Sequence, residues 1–89
     1  MARTIRTLVD VYEDACDRFA ERDAFGEKRG GRWEWTTYRE LRRLIDRCRG
    51  GLAALRVEPG DRVAILSDNR LEWAVVAYAT YGLEAIVVP

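Results

Sequence analysis

Histidine is absent from this 89-residue sequence. That removes the Ser-His-Asp and Cys-His nucleophilic arrangements and most zinc hydrolase sites, all of which need an imidazole. An isolated hydrolase is not expected. Charge of one sign is missing too: 15 Lys and Arg balance 15 Asp and Glu, for a formal net charge of zero. No global field therefore draws the chain to nucleic acid or to an anionic membrane. Cysteine is scarce, and Cys16 and Cys48 fall on separate helical stripes with no partner at metal-ligand spacing. They are read as small buried hydrophobes rather than a redox pair. Long apolar runs are lacking as well. Met1-Ala2-Arg3-Thr4-Ile5-Arg6 leads into an amphipathic stretch, so neither a secretory signal nor a transmembrane segment is expected. The expected compartment is the cytoplasm. There is no internal repeat, low-complexity tract or linker, and a single domain over 1–89 is the economical reading.

What is present starts with an amphipathic helix. Thr7 and Asp10 have the spacing of a capping box, and Leu8, Val11, Tyr12, Ala15, Cys16 and Phe19 recur every three or four residues. Glu13, Asp14, Asp17, Arg18 and Glu21 take the other side, read as a solvated face. A hairpin follows, Ala24-Phe25-Gly26-Glu27-Lys28 and Arg32-Trp33-Glu34-Trp35-Thr36 around Arg29-Gly30-Gly31, since the glycine pair supplies the positive φ of a tight turn. Phe25, Trp33 and Trp35 suggest a sheet edge with one covered face. Base stacking by these aromatics is the competing reading. The interleaved Glu27 and Glu34 and the neutral chain favour packing.

A second helix opens at another capping box, Thr37 with Glu40, in which the hydroxyl takes an amide and the carboxylate returns to the cap amide. Leu41, Leu44, Ile45, Cys48, Leu52 and Leu55 form its apolar stripe. Arg39, Arg42, Arg43, Arg47 and Arg49 crowd its other faces. Such a cluster suits a phosphate, but a soluble face with Asp46 and Glu40 in salt-bridge reach is the preferred reading. Gly50 and Gly51 lower helix propensity and are placed for close packing against a neighbour.

The last third reads as strand, helix, strand. After the type II turn Glu58-Pro59-Gly60-Asp61 comes an apolar run, Arg62 to Ser67. Asn69, with Glu72 three residues on, is positioned to cap a helix from about Arg70 to Tyr81, which Gly82 stops. Leu71, Trp73, Ala74, Val75, Val76, Ala77, Tyr78 and Ala79 make it apolar almost all round, a helix covered on most sides. Ala85 to Val88 is the second run, and a crossover helix implies parallel pairing of right-handed topology. The predicted fold class is α/β: an incomplete three-layer fragment of amphipathic helix, β-hairpin, helix and a β-α-β unit of a parallel sheet.

The run GDRVAILSDNRLEWAVVAYATYGLEAIVVP resembles the early region of the adenylate-forming (AMP-binding) acyl-CoA synthetases: a Gly-Asp-x-Val strand, a polar turn, a Glu-Trp helix and a strand ending in Val-Pro. Thr36-Thr37-Tyr38-Arg39-Glu40-Leu41 is similar to the family's first core motif, and Tyr81 to Pro89 to the start of its second, although Leu83 and Glu84 stand where small residues are usual. Tyr81-Gly82-Leu83 is more like the fatty-acyl branch than the peptide-synthetase branch. The resemblance implies an N-terminal part of the large domain of a long-chain fatty-acid CoA ligase. Such a parent forms an acyl-adenylate from a fatty acid and ATP with Mg2+, then passes the acyl group to coenzyme A. It is cytoplasmic, with peripheral membrane contact one option. The family's phosphate loop, ribose aspartate and late lysine have no matching positions here, so the catalytic, cofactor-binding and metal residues expected in this chain are none. Its expected partner is the remainder of the parent chain.

Two other classes remain open from sequence. One is a stand-alone protein-interaction module docking around Trp73 and Val87. The other is a small nucleotide-binding domain on the β-α-β unit, weakened because Leu66-Ser67-Asp68-Asn69-Arg70 holds no Gly-x-Gly-x-x-Gly and no Gly-Lys-Ser/Thr. Stability in isolation is expected to be marginal, since a chain this short buries only about 60 to 65 per cent of its unfolded surface.

Overall fold

The computed structural model describes residues 4–89. The opening Met1-Ala2-Arg3, on which the expectation about a secretory signal partly rested, lies outside them. The elements run α1 (Leu8–Arg18), β1 (Asp23–Arg29), β2 (Arg32–Thr37), α2 (Tyr38–Ala54), β3 (Arg62–Ala64), α3 (Leu71–Gly82) and β4 (Ile86–Val88). They form two compact units that divide between Arg43 and Leu44, within α2.

In the first unit the Thr7 hydroxyl accepts from the Asp10 amide at 3.1 Å, and the Asp10 carboxylate accepts from the Thr7 amide at 3.1 Å, so the α1 capping box forms as expected. Only Tyr12 and Cys16 of its apolar stripe are buried, whereas Leu8 and Val11 stay exposed. β1 and β2 pair antiparallel, with Gly26 opposite Trp35, Glu27 opposite Glu34 and Lys28 opposite Trp33. The turn between them uses Gly30 at φ 57° and Gly31 at φ 79°, the conformation that a two-residue hairpin of matching twist requires.

The second unit holds the β-α-β element. β3 and β4 pair in parallel with Val63 opposite Val87, as the crossover helix implied. Asp61 donates to the Glu58 carbonyl at 3.0 Å and Gly60 sits at φ 85°, which realises the expected type II turn. In α3, Leu71, Val75 and Ala79 are buried on one side and Ala77 and Thr80 on the other. Thr80 lies fully buried because its hydroxyl donates to the Val76 carbonyl at 2.7 Å.

Several local expectations are corrected. β3 ends at Ala64 rather than Ser67; the Ile65 amide still donates to Val88, but Leu66 is fully exposed. Arg70, not Asn69, is the N-cap of α3, and no side chain caps it. Asn69 stands one residue too early, and the first turn is tightened instead by the Trp73 amide bonding the Arg70 carbonyl at 3.1 Å. Gly82 is the last helical residue, and the left-handed position falls to Glu84 at φ 59°. There the Ala85 amide reaches Thr80 and the Glu84 amide reaches Tyr81, a Schellman stop built on a residue with a Cβ. α2 stops in the same way. Arg56 takes φ 68° while Val57 bonds Leu52 and Arg56 bonds Ala53. A Cβ on Gly50 or Gly51 would meet nothing within 4 Å, so neither glycine serves close packing.

Candidate functional site

The segment with most convergent structure is Thr37 to Leu41, at the junction of β2 and α2. A helix leaves its first amides without intrahelical partners. Here each of the first three is taken: Tyr38 donates to the Arg22 carbonyl at 3.0 Å, Arg39 to the Ala20 carbonyl at 3.0 Å, and Glu40 to the Thr37 hydroxyl at 3.2 Å. The Thr37 hydroxyl in turn donates to the Glu40 carboxylate at 3.1 Å. That carboxylate was expected on the cap amide. Thr37 is the last residue of β2, opposite Asp23, and its carboxylate partner bonds the hydroxyl instead.

The side chains tie the same knot. Leu41 is buried, and the Tyr38 ring lies 6.3 Å from that of Phe19. Arg18 and Arg22 place their guanidinium carbons 5.3 and 5.1 Å from the Phe19 ring centre, within cation-π range. Arg39 pairs with Glu21, and Arg42 with Asp17 at 2.6 Å. An open depression of about 330 Å³ is bordered by Asp17, Arg18, Phe19, Glu21, Arg22 and Arg39. Within it Glu21 engages Arg39, while Asp17 and Arg18 pair outside it with Arg42 and Asp14, and it adjoins the C-terminal end of α1, where the helix dipole disfavours an anion. It is a poor seat for a phosphate.

The arginine cluster of α2 is thus dispersed rather than gathered. Arg39 pairs with Glu21 just beyond α1 and Arg42 with Asp17 in its last turn, and Arg49 lies along α3, where a Cβ on Gly82 would fall 2.9 Å from its Cδ. Sequence periodicity holds no signal for these tertiary pairings. Cys16 and Cys48 are free thiols, Cys16 buried. Burial pushes the Cys48 thiol up, away from the thiolate that nucleophilic or metal chemistry requires. Among the described residues no group of three His, Cys, Asp or Glu is arranged to hold a metal ion, and no helix is long and apolar enough to cross a membrane.

The tryptophans depart from expectation. Pairing puts Trp33 and Trp35 on one face with Gly26 and Lys28, and puts Phe25, Glu27, Arg29, Arg32 and Glu34 on the other. The indoles stack at 5.9 Å and 24°, yet remain 60 % and 57 % exposed. The face expected to be covered is open. The glutamates that interleave with the indoles in sequence lie behind them in space, where Arg29 pairs with Glu27 at 3.3 Å and Glu34 at 3.7 Å.

The Thr37–Leu41 knot and the β-α-β unit are the two motifs on which the resemblance rested, and comparison with known proteins extends it. The AMP-binding enzyme family matches over residues 12–89. Fatty acyl-CoA synthetase B of Dictyostelium discoideum is 34 % identical over 83 residues, 86 % of this chain and 12 % of that protein. Triostin synthetase I of Streptomyces triostinicus is 40 % identical over 86 residues, 93 % of this chain and 15 % of its own length. The inhibitor-bound N-terminal domain of FACL13 from Mycobacterium tuberculosis superposes with a TM-score of 0.85 at 27 % identity, covering 96 % of this chain and 21 % of that one. The chain spans about an eighth of the length of the first of these relatives. Motif, fold and relatives coincide over nearly the whole sequence, and the chain belongs to the AMP-binding enzyme family.

Proposed function

We propose that this chain is an N-terminal scaffold segment, within a single large domain, of an AMP-forming acyl-CoA synthetase whose whole protein activates a fatty acid with ATP and transfers it to coenzyme A. The observation that carries this is the 34 % identity to a fatty acyl-CoA synthetase across 86 % of the chain. The residues present do not fit the nucleotide. The turn before α3 holds Asp68 and no phosphate loop, and Arg70 caps the helix without a side-chain bond. ATP, Mg2+ and coenzyme A are accordingly assigned to other parts of the enzyme, and no residue here to catalysis. The contribution of this segment is rigidity: it holds elements that a phosphate-binding loop is mounted on. A soluble cytoplasmic enzyme is the compartment this reading favours.

The test is a chimera in which this chain replaces the matching segment of fatty acyl-CoA synthetase B. Fatty-acid-dependent exchange of pyrophosphate into ATP should survive, and the chain alone should show none. A folded chimera without exchange would sink the scaffold reading, and exchange by the isolated chain would show that the chemistry had been placed wrongly. The likeness to an adenylation-PCP di-domain NRPS from Klebsiella oxytoca, TM-score 0.84 at 25 % identity, supports a second reading, an adenylation domain of the peptide-synthetase branch. Screening the protein translated from the complete gene against fatty acids and amino acids separates the two.

A further inference from the structure

The β1–β2 hairpin carries a face that the ligase reading does not use. Trp33 and Trp35 stack on one another and lie more than half exposed. Trp35 owes its position to Gly26: a Cβ there would come within 2.5 Å of Cζ3 of the indole, so only glycine lets the ring lie flat on the opposing strand. Strand register puts the exposed Lys28 on this same face, opposite Trp33, and sends Glu27, Glu34, Arg29 and Arg32 to the other. The side chains of the tryptophan face are therefore donors only. Each indole has one N–H, the lysine has its ammonium, Gly26 has no side chain, and no acceptor stands among them.

Such a face selects its occupant by chemistry and by size. The occupant must be apolar, bring acceptors and a negative charge for Lys28, and leave no donor of its own unpaired. Two indoles just over half exposed offer roughly 150–300 Å², against the about 800 Å² that each partner gives to a stable interface. A second copy of this chain fails on both counts, since its identical face would set donors against donors and lysine against lysine. On so small an area, the occupant also has to be ordered before it binds. We propose that the tryptophan face docks a proline-rich segment of a partner protein, held in the polyproline II conformation and carrying an acidic residue. Proline brings an apolar ring and a carbonyl acceptor, and no N–H for the face to leave unpaired. The polyproline II helix has no internal hydrogen bonds, so its carbonyls are free to accept, and its order is already present in the free segment. Proline rings lie on the indoles, carbonyls accept from the indole N–H groups, and the carboxylate lies against Lys28. Capture of proline-rich segments by aromatic-lined surfaces of small domains follows the same physics. A nucleic-acid strand asks for more, a continuous basic track along its backbone, and this face has one cation. Docking of this kind is independent of the chemistry of the parent ligase.

The test uses the 89-residue chain with Trp73→Phe, which leaves the hairpin indoles as the only tryptophans. Titration with an end-capped oligoproline bearing one glutamate should move indole emission saturably, and an alanine-rich peptide of the same length and charge should not. Exchanging the peptide's glutamate for glutamine should weaken binding about threefold, as should Lys28→Gln in the protein, and the two losses should not add. Trp33→Ser and Trp35→Ser should each cost about tenfold by titration calorimetry. If a tryptophan variant unfolds, the peptide changes and Lys28→Gln, an exposed change that leaves the hairpin ladder intact, decide the matter. Emission unmoved by the proline peptide, equal binding of the alanine-rich one, or folded variants that bind as well as the parent would overturn the proposal. So would a response only to single-stranded oligonucleotide, or a tryptophan-dependent dimer in peptide-free buffer. Indoles closed to acrylamide quenching in the protein translated from the complete gene would overturn it too, because the rest of that chain would then be the occupant. No arm measures turnover, so failure here leaves the ligase reading standing, and an inactive chimera leaves peptide binding standing.

Discussion

Replacing Thr37 by alanine removes the single side-chain oxygen at the start of α2 that both accepts from the Glu40 amide at 3.2 Å and donates to the Glu40 carboxylate at 3.1 Å. Loss of such an N-cap costs about 1 kcal/mol, within a span of roughly 0.5–2 kcal/mol. The Tyr38 and Arg39 amides keep their carbonyl partners at Arg22 and Ala20, so one of three anchors is lost and the helix shortens rather than melts. For a domain of this size, 1 kcal/mol corresponds to a fall of about 4–8 °C in Tm. Thermal and urea unfolding followed by far-UV circular dichroism give the measurement, and the urea midpoint should move without a change of slope. Thr37→Ser should recover most of the loss. Glu40→Ala should cost only about 0.3–1 kcal/mol, because the cap acts on the amide of residue 40 and the lost carboxylate interacts weakly with the exposed helix start. If Thr37→Ser melts with Thr37→Ala, or Glu40→Ala is the more damaging, the hydroxyl is not the cap and the account of the motif fails.

Glu84→Gly should stabilise by about 1 kcal/mol, since φ 59° is strained for a residue with a Cβ and free for glycine, less the extra entropy glycine gains on unfolding; a raised urea midpoint checks it. Gly26→Ala should push the Trp35 ring off its strand and weaken a stack worth about 0.5–1.5 kcal/mol, read as loss of the paired-indole band in near-UV circular dichroism. Cys48 should react slowly with iodoacetamide at neutral pH and quicken as unfolding frees it. Because burial raises its folded pKa, the native chain holds the thiol proton more firmly, so the associated stability is present below the unfolded pKa and is lost as pH rises through the folded one.

Features coded over a few neighbouring residues were the ones legible in the sequence. Gly30-Gly31 announced the hairpin, Thr7 with Asp10 and Thr37 with Glu40 announced two helix starts, and two apolar runs around a helix announced the parallel pair. What depends on distant chain was hidden. The stop of α3 moved from Gly82 to Glu84 because the Glu84 carbonyl is fixed by the Gly60 amide at 2.9 Å and Ile86 by Asp61 at 2.7 Å, so strand register chose where the left-handed residue falls. The partners of Arg39 and Arg42 come from the last turn of α1 and just beyond it, a tertiary choice that charge patterning does not encode. The interleaved Glu27 and Glu34 and the neutral chain pointed Trp33 and Trp35 to a covered face, but the pairing register leaves that face open. The actual seat of Trp35 is Gly26 on the facing strand, with Trp33 stacked beside it opposite Lys28, legible only once register is known.

The parallel pairing of β3 with β4 has a kinetic consequence. Arg62 and Ile86 meet across 24 positions (86 − 62), whereas Arg29 and Arg32 in the hairpin meet across three. A ribbon closed by its own turn forms in about 1–10 μs, while a ladder of three residue pairs cannot offset the closure of so long a loop until the intervening helix is in place. The N-terminal ribbon is therefore ready early, and α3 must be wound before its flanking strands can find each other.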